Sequence, residues 1–142
     1  MTEPSDLAGD LRVVLGQLIR RLRAERRGLS LSQVTVLGRL DRHGSAGISD
    51  LAAAERVRPQ SMAGTVAALQ DAGLVDRSPD PRDGRRSLIG LTAAGREALL
   101  EDRRRREDWL ADAIARDLSD AERRVLREAT ALLARLADGE PR

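Results

Sequence analysis

The sequence predicts a mainly α chain with one small β-hairpin. Leu, Val and Ile recur at spacings of three and four through most of its length, which marks amphipathic helices. Aromatic residues make up 1% of the chain, a lone Trp109 with no Phe or Tyr, so the core must come from Leu, Val, Ile, Ala and Met. Residues 74–91 alone read as strand, turn and strand. With 142 residues, the chain has about one domain's worth of core.

The first helix is expected over about residues 5–27, where Leu7, Leu11, Val14, Leu15, Leu18, Ile19 and Leu22 form one apolar stripe before Gly28. A second helix follows, with Ser32 as its expected N-cap, Val34, Leu37 and Leu40 buried, and Gly44 as its stop beside His43. His43 suits a partner for the helix C-terminal dipole. Ser49 is the expected cap of a short third helix with Ile48, Leu51 and Ala52 inside. The connection Arg56-Val57-Arg58 leads to a fourth helix, where Pro59 suits the first turn, Met62, Val66 and Leu69 face inward, and Gly73 ends it. A short helix, a tight connection and a second helix make the helix-turn-helix plan, whose second helix enters the DNA major groove.

Strands are expected at Leu74–Ser78 and Ser87–Leu91. Pro79 and Pro81 limit pairing between them, and Asp83-Gly84 supplies the turn. Thr92 then caps a long helix to about residue 116, and Ser119 caps a last one to about 137, striped with Val125, Leu126, Ala129, Leu132, Leu133 and Leu136. Within the long helix, residues 101–108 read EDRRRRED, whose net charge is zero. Such a run is expected to stand in solvent as a strut held by Glu101–Arg105 and Asp102–Arg106 pairs, with reverse-order Arg103–Glu107 and Arg104–Asp108 pairs.

A helix-turn-helix, then GLVDRSPDPRDGRRSLIGLTAAG, then a long helix resembles the MarR family of winged-helix regulators over nearly the whole chain. Its most specific pieces are Gly73-Leu74-Val75 with Arg77, the element Asp83-Gly84-Arg85, and Leu91-Thr92 with Gly95. The resemblance implies a homodimer on a roughly palindromic duplex site, usually a repressor, often released by a small-molecule effector. It also implies an organisation into an N-terminal dimerisation helix (1–28), a winged helix-turn-helix DNA-binding lobe (29–91), and the connecting and C-terminal dimerisation helices (92–142). Related proteins often carry a long polar side chain near the position of Gly64 and charges near Ala67 and Ala68. Here that stretch is Ala63-Gly64-Thr65-Val66-Ala67-Ala68, so base readout falls on fewer side chains.

The DNA-binding candidates follow from side-chain chemistry. Gln60 can pair bidentately with adenine; Ser61 and Thr65 can bond bases or phosphates, and the Thr65 methyl suits a thymine methyl. The helix N-terminus at Pro59 favours a phosphate, which would also compensate Arg58 at the positive end of the dipole; an ion pair with Glu55 is the alternative for Arg58. In the wing, Arg85 follows the turn glycine and is expected to project into a narrow minor groove. Arg82 and Arg86 suit backbone phosphates, and Arg77 a phosphate or Asp83. Asp83 and Gly84 support the wing rather than touch DNA. Leu7, Leu11, Leu15 and Leu18 with Leu126, Leu133 and Leu136 are the expected dimer interface. Trp109 suits core or interface, with the lining of an effector pocket as the alternative.

Composition narrows the function class. All 25 basic residues are arginine, a bias that fits GC-rich codon use, so placement rather than number carries meaning. No cysteine is present, and one histidine cannot build a multi-histidine metal site. No glycine-rich phosphate loop or nucleophile motif occurs, so neither catalysis, a catalytic residue nor a cofactor is expected. No signal peptide or membrane-length apolar run is read, and a cytoplasmic location is expected. The competing classes are a winged-helix protein-interaction module and a non-specific architectural DNA-binding protein.

Overall fold

The computed structural model describes residues 3–25 and 28–139. The elements run α1 (Pro4–Ala24), α2 (Leu31–His43), α3 (Ile48–Glu55), α4 (Pro59–Asp71), β1 (Val75–Pro79), β2 (Ser87–Leu91), α5 (Ala93–Asp117) and α6 (Asp120–Ala137). The order is the mainly α chain with one hairpin that the sequence predicts. The expected extension of the first helix through 26 and 27 falls outside the described residues. The chain divides into two compact units, Met1–Arg106 and Glu107–Arg142. No helix among the described residues is long and apolar enough to cross a membrane.

The core of the first unit collects Val34, Val36, Leu37 and Leu40 of α2, Leu51 and Ala52 of α3, and Met62, Val66 and Leu69 of α4. Val75, Ile89 and Leu99 come from β1, β2 and α5. The hairpin is antiparallel, with Val75 opposite Leu91, Arg77 opposite Ile89 and Pro79 opposite Ser87. Pro79 thus takes the last place in β1, whereas the sequence reading stops the strand at Ser78. A proline is admitted there because the strand end needs no further amide from it. Pairing even continues one step, with the Asp80 amide donating to the Arg86 carbonyl at 2.9 Å.

Two helix starts differ from expectation. The α2 cap is Ser30, not Ser32: the Gln33 amide donates to Ser30 Oγ at 3.2 Å, and the Ser30 amide to Gln33 Oε1 at 2.9 Å. This reciprocal pair satisfies two amides at once, which a cap at Ser32 would not. Gly47 rather than Ser49 precedes α3, which starts without a side-chain cap. The other expected caps are present. Thr92 Oγ1 accepts from the Gly95 amide at 3.0 Å, and Ser119 forms a reciprocal box with Glu122. The bond from the Ser119 amide holds the Glu122 carboxyl below its ordinary pKa.

The charged run of α5 is not wholly solvated. Asp102 is 5% exposed, against the expectation of a strut with no packed residue. It lies three residues from the buried Leu99, hence on the same face of α5. Its charge is tolerated because Arg106, one turn on, brings a guanidinium within 2.8 Å, an ion-pair contact without aligned hydrogen-bond geometry. Of the other expected pairs, Glu101–Arg105 forms at 3.2 Å. Arg104 turns back to Glu101, while Arg103 and Arg96 face Asp41 of α2.

The connection from α3 to α4 turns at Arg56, which has φ 54° and ψ 42°. This left-handed conformation closes α3, with the Val57 amide reaching back to the Ala52 carbonyl at 3.0 Å. A side chain there costs about 1–2 kcal/mol. Glycine would relieve that cost but lose roughly 0.5–1 kcal/mol through unfolded-chain entropy. Arg56→Gly is therefore expected to stabilise slightly, raising the thermal midpoint by roughly 1–2 °C in a calorimetric scan. Gly95 has the opposite character. A Cβ there would collide with the Leu74 carbonyl oxygen, a backbone atom that cannot swing aside. Gly95→Ala is expected to destabilise by about 1–3 kcal/mol in chemical denaturation.

Candidate nucleic-acid interface

The interface candidates arise from two pieces, the start of α4 and the hairpin, which packs on α4 near that helix's other end through Arg77 and Gln70. α4 begins with Arg58 in an extended conformation, Pro59 in the first turn, and no side chain capping its amides. Its first-turn donors therefore face outward with the positive end of the helix dipole. Arg58, Pro59, Gln60 and Ser61 are all exposed. The alternative pair between Arg58 and Glu55 is not formed, and among the described residues no carboxylate compensates Arg58 at that end. Gly64, one turn on, is exposed, and nothing lies within 4 Å of where its Cβ would be. The outer face of α4 is consequently thin, with exposed Ala67 and Ala68 beyond it.

Thr65 departs from a simple outward position. It is half-buried, and its hydroxyl donates to the Ser61 carbonyl at 3.2 Å. Ser61 and Thr65 together line a concavity of about 380 Å³, across from Thr35 of α2 and Val57 of the turn. Their side chains are shared between that cleft and the outer face.

The wing is shaped by its aspartates acting on backbone. Asp80 Oδ1 accepts from the Arg82 amide at 2.9 Å, and Asp83 Oδ1 from the Arg85 amide at 3.1 Å. The Arg86 amide closes the turn onto the Asp83 carbonyl at 3.0 Å. Asp83 thus steadies Arg85 through its main chain and leaves the guanidinium free to project beyond Gly84. The side chains of Arg82 and Arg85 are exposed and bond to no described residue.

The other two wing arginines are engaged. Arg77 shares the face of Val75, two residues away, which turns it toward α4. There its Nε donates to Gln70 Oε1 at 2.8 Å, not to Asp83. Arg86 Nη2 donates to Asp50 Oδ2 at 2.6 Å, and this hydrogen bond together with the Asp50 charge raises the Arg86 pKa. Asp50 and Gln70 were not singled out in the sequence; only the fold reveals them as partners, since 36 residues separate Asp50 from Arg86.

The remaining candidates lie on the helices. Leu7, Leu15 and Leu18 of α1 are exposed and Leu11 is half-buried; no residue of α1 is buried. On α6, Leu126 and Leu136 are exposed, Leu133 is half-buried, and again none is buried. Leu126 lines a concavity of about 580 Å³ along α6 with Thr130 and Ala134. Trp109 is half-buried and lines neither this concavity nor the one beside α4. Among the described residues no group of His, Cys, Asp and Glu could hold a metal ion.

Comparison with known proteins agrees with this arrangement. The MarR family profile matches residues 29–87. The chain is 41% identical over 137 residues to an HTH-type transcriptional regulator of Mycobacterium bovis, covering 95% of each sequence. A crystal structure of a transcriptional regulator from Pseudomonas aeruginosa is 39% identical and superposes with a TM-score of 0.83, over 98% of this chain and all of that one. A point mutant of MepR from Staphylococcus aureus, bound to an oligodeoxyribonucleotide, shares the fold at a TM-score of 0.67 and 23% identity, over 96% of this chain and 99% of that one. With a helix-turn-helix, an arginine-tipped hairpin and relatives of this kind along nearly its full length, the chain belongs to the MarR family of winged-helix regulators.

Proposed function

We propose that the protein is a sequence-specific regulator of transcription, a homodimeric repressor that binds a pseudo-palindromic DNA duplex. The observation that carries this reading is the joint presentation of an uncapped α4 N-terminus and two wing arginines, Arg82 and Arg85, that have no partner among the described residues. Arg58, Pro59, Gln60, Ser61 and Thr65 would meet the major groove and its phosphates. Arg85 would enter the minor groove, and Arg82 would contact backbone. Because Gly64 and the alanines thin out α4, the wing carries a large share of the affinity.

The dimer reading rests on the apolar stripes of α1 and α6, neither of which has a buried residue. A second copy would cover Leu7, Leu11, Leu15, Leu18, Leu126, Leu133 and Leu136, and a twofold axis would space two recognition helices by about one DNA turn, ~34 Å. A small-molecule effector that releases the DNA belongs to the same reading, and no catalytic step does. The half-buried Trp109 is assigned to packing. Static light scattering at micromolar concentration is expected to give the mass of two chains; a single-chain mass would overturn the dimer.

Selection of genomic fragments by the purified protein tests the function directly. Recovery of a palindrome is expected. Random fragments would indicate an architectural protein, and no DNA a protein-interaction module. On the recovered duplex, Arg85→Ala is expected to weaken binding by about 1–3 kcal/mol in fluorescence anisotropy and to flatten the dependence of affinity on salt by about one ion. Unchanged affinity and an unchanged salt slope would count against the wing contact.

A further inference from the structure

The four arginines of the wing divide into two kinds. Arg82 and Arg85 project without a partner among the described residues, whereas Arg77 and Arg86 are each tied to a helix of the helix-turn-helix, Arg77 to Gln70 of α4 and Arg86 to Asp50 of α3. We propose that Arg86 is a positioning residue: its tie to Asp50 sets the angle at which the wing tip presents Arg85 to DNA. This rests on the DNA-binding reading above.

Three features point to a tie rather than a phosphate ligand. The site is shaped for the guanidinium. Gly47, which is buried, lies beneath it, and a Cβ at that position would collide with Arg86 Nη2. The acceptor is held where a carboxylate is favoured, since Asp50 lies in the first turn of α3, at the positive end of its dipole. The tie is also the attachment nearest the tip. At the wing base Ala46 and Ile89 exchange two backbone bonds of 3.1 and 2.8 Å, and Arg77, opposite Ile89, bonds Gln70. Arg86 lies three residues nearer the tip than Ile89, directly beside Arg85, and a further point of attachment there restrains the tip itself. Asp50 takes up Nη2, so a phosphate on the remaining donors would share the guanidinium with a carboxylate whose charge opposes it.

The two roles give opposite signs for one substitution. If Arg86 were a phosphate ligand restrained by Asp50, Asp50→Asn would free it and remove a negative charge, and binding would tighten. As a tie, Asp50→Asn is expected to weaken binding of a fluorescein-labelled duplex, taken from the fragments that wild-type protein retains, by roughly threefold or more. Arg86→Gln should do the same, and the double variant should be no weaker than either single one, because both break one interaction. In an Arg85→Ala background Asp50→Asn should have no further effect. In the free protein, amide hydrogen exchange of residues 80–86 should quicken in both single variants. Tighter binding by Asp50→Asn, unchanged affinity, or full effects persisting in the Arg85→Ala background would overturn the positioning role. Unchanged exchange would overturn the tie itself. Wild-type protein that retains no duplex would overturn the DNA-binding reading and the positioning role with it, while the exchange measurement still decides whether the tie restrains the tip.

Discussion

The backbone exchange between Ala46 and Ile89 is the joint on which the rest of the first unit depends. It seats the hairpin against the start of α3, and so beside the recognition helix rather than free in solvent. Ile89, fully buried, enters the core formed by α2, α3 and α4. Once Ile89 is seated, the alternation of the strand fixes which way its neighbours face. Arg77, opposite it on β1, is turned toward Gln70, and Arg86, beyond the strand end, comes within reach of Asp50. Two backbone bonds thereby determine which arginines are bound to the protein and which remain for a partner.

A chain whose cations are all arginine could present a diffuse basic surface. The structure instead commits many of them locally. Arg96 and Arg103 face Asp41, Arg104 and Arg105 take Glu101, and Arg106 covers the buried Asp102. Exposed pairs of this kind contribute little to stability, about 0–1 kcal/mol each. Their larger consequence is where charge is left over. Along α5 the guanidinia are neutralised within the chain, whereas at the wing tip Arg82 and Arg85 have no partner among the described residues.

The apolar residues divide in a similar way. α2, α3 and α4 bury their stripes against one another, while α1 and α6 leave theirs uncovered. Stripes of several exposed leucines and valines are costly to leave in water, since each such side chain would gain about 1.5–3 kcal/mol on full burial. In the proposed dimer a second copy would remove that cost and supply the twofold symmetry that a palindromic site requires.

Much of this was legible in the sequence. Helical periodicity placed Val34, Leu37, Leu40, Leu51, Met62, Val66 and Leu69 inside, and the glycines and Asp83-Gly84 marked the breaks and the wing turn, because these signals come from interactions within a few residues. The caps were legible only in part: Ser119 and Thr92 stand out, but Ser30 is hidden beside Ser32, since neighbouring serines differ only in which one reaches a free amide, and Gly47 precedes α3 with no side chain to mark it. What the tertiary structure alone decided concerns partners distant in sequence. Asp102 looks solvated amid a run of charges and is buried, because its face of α5 continues that of Leu99. Arg77 and Arg86 look like the other wing arginines and are not, because Gln70 and Asp50 come to them only when the hairpin docks. Composition and periodicity determine which surfaces are charged or apolar; which charge is left free depends on what the folded chain brings within hydrogen-bond distance of it.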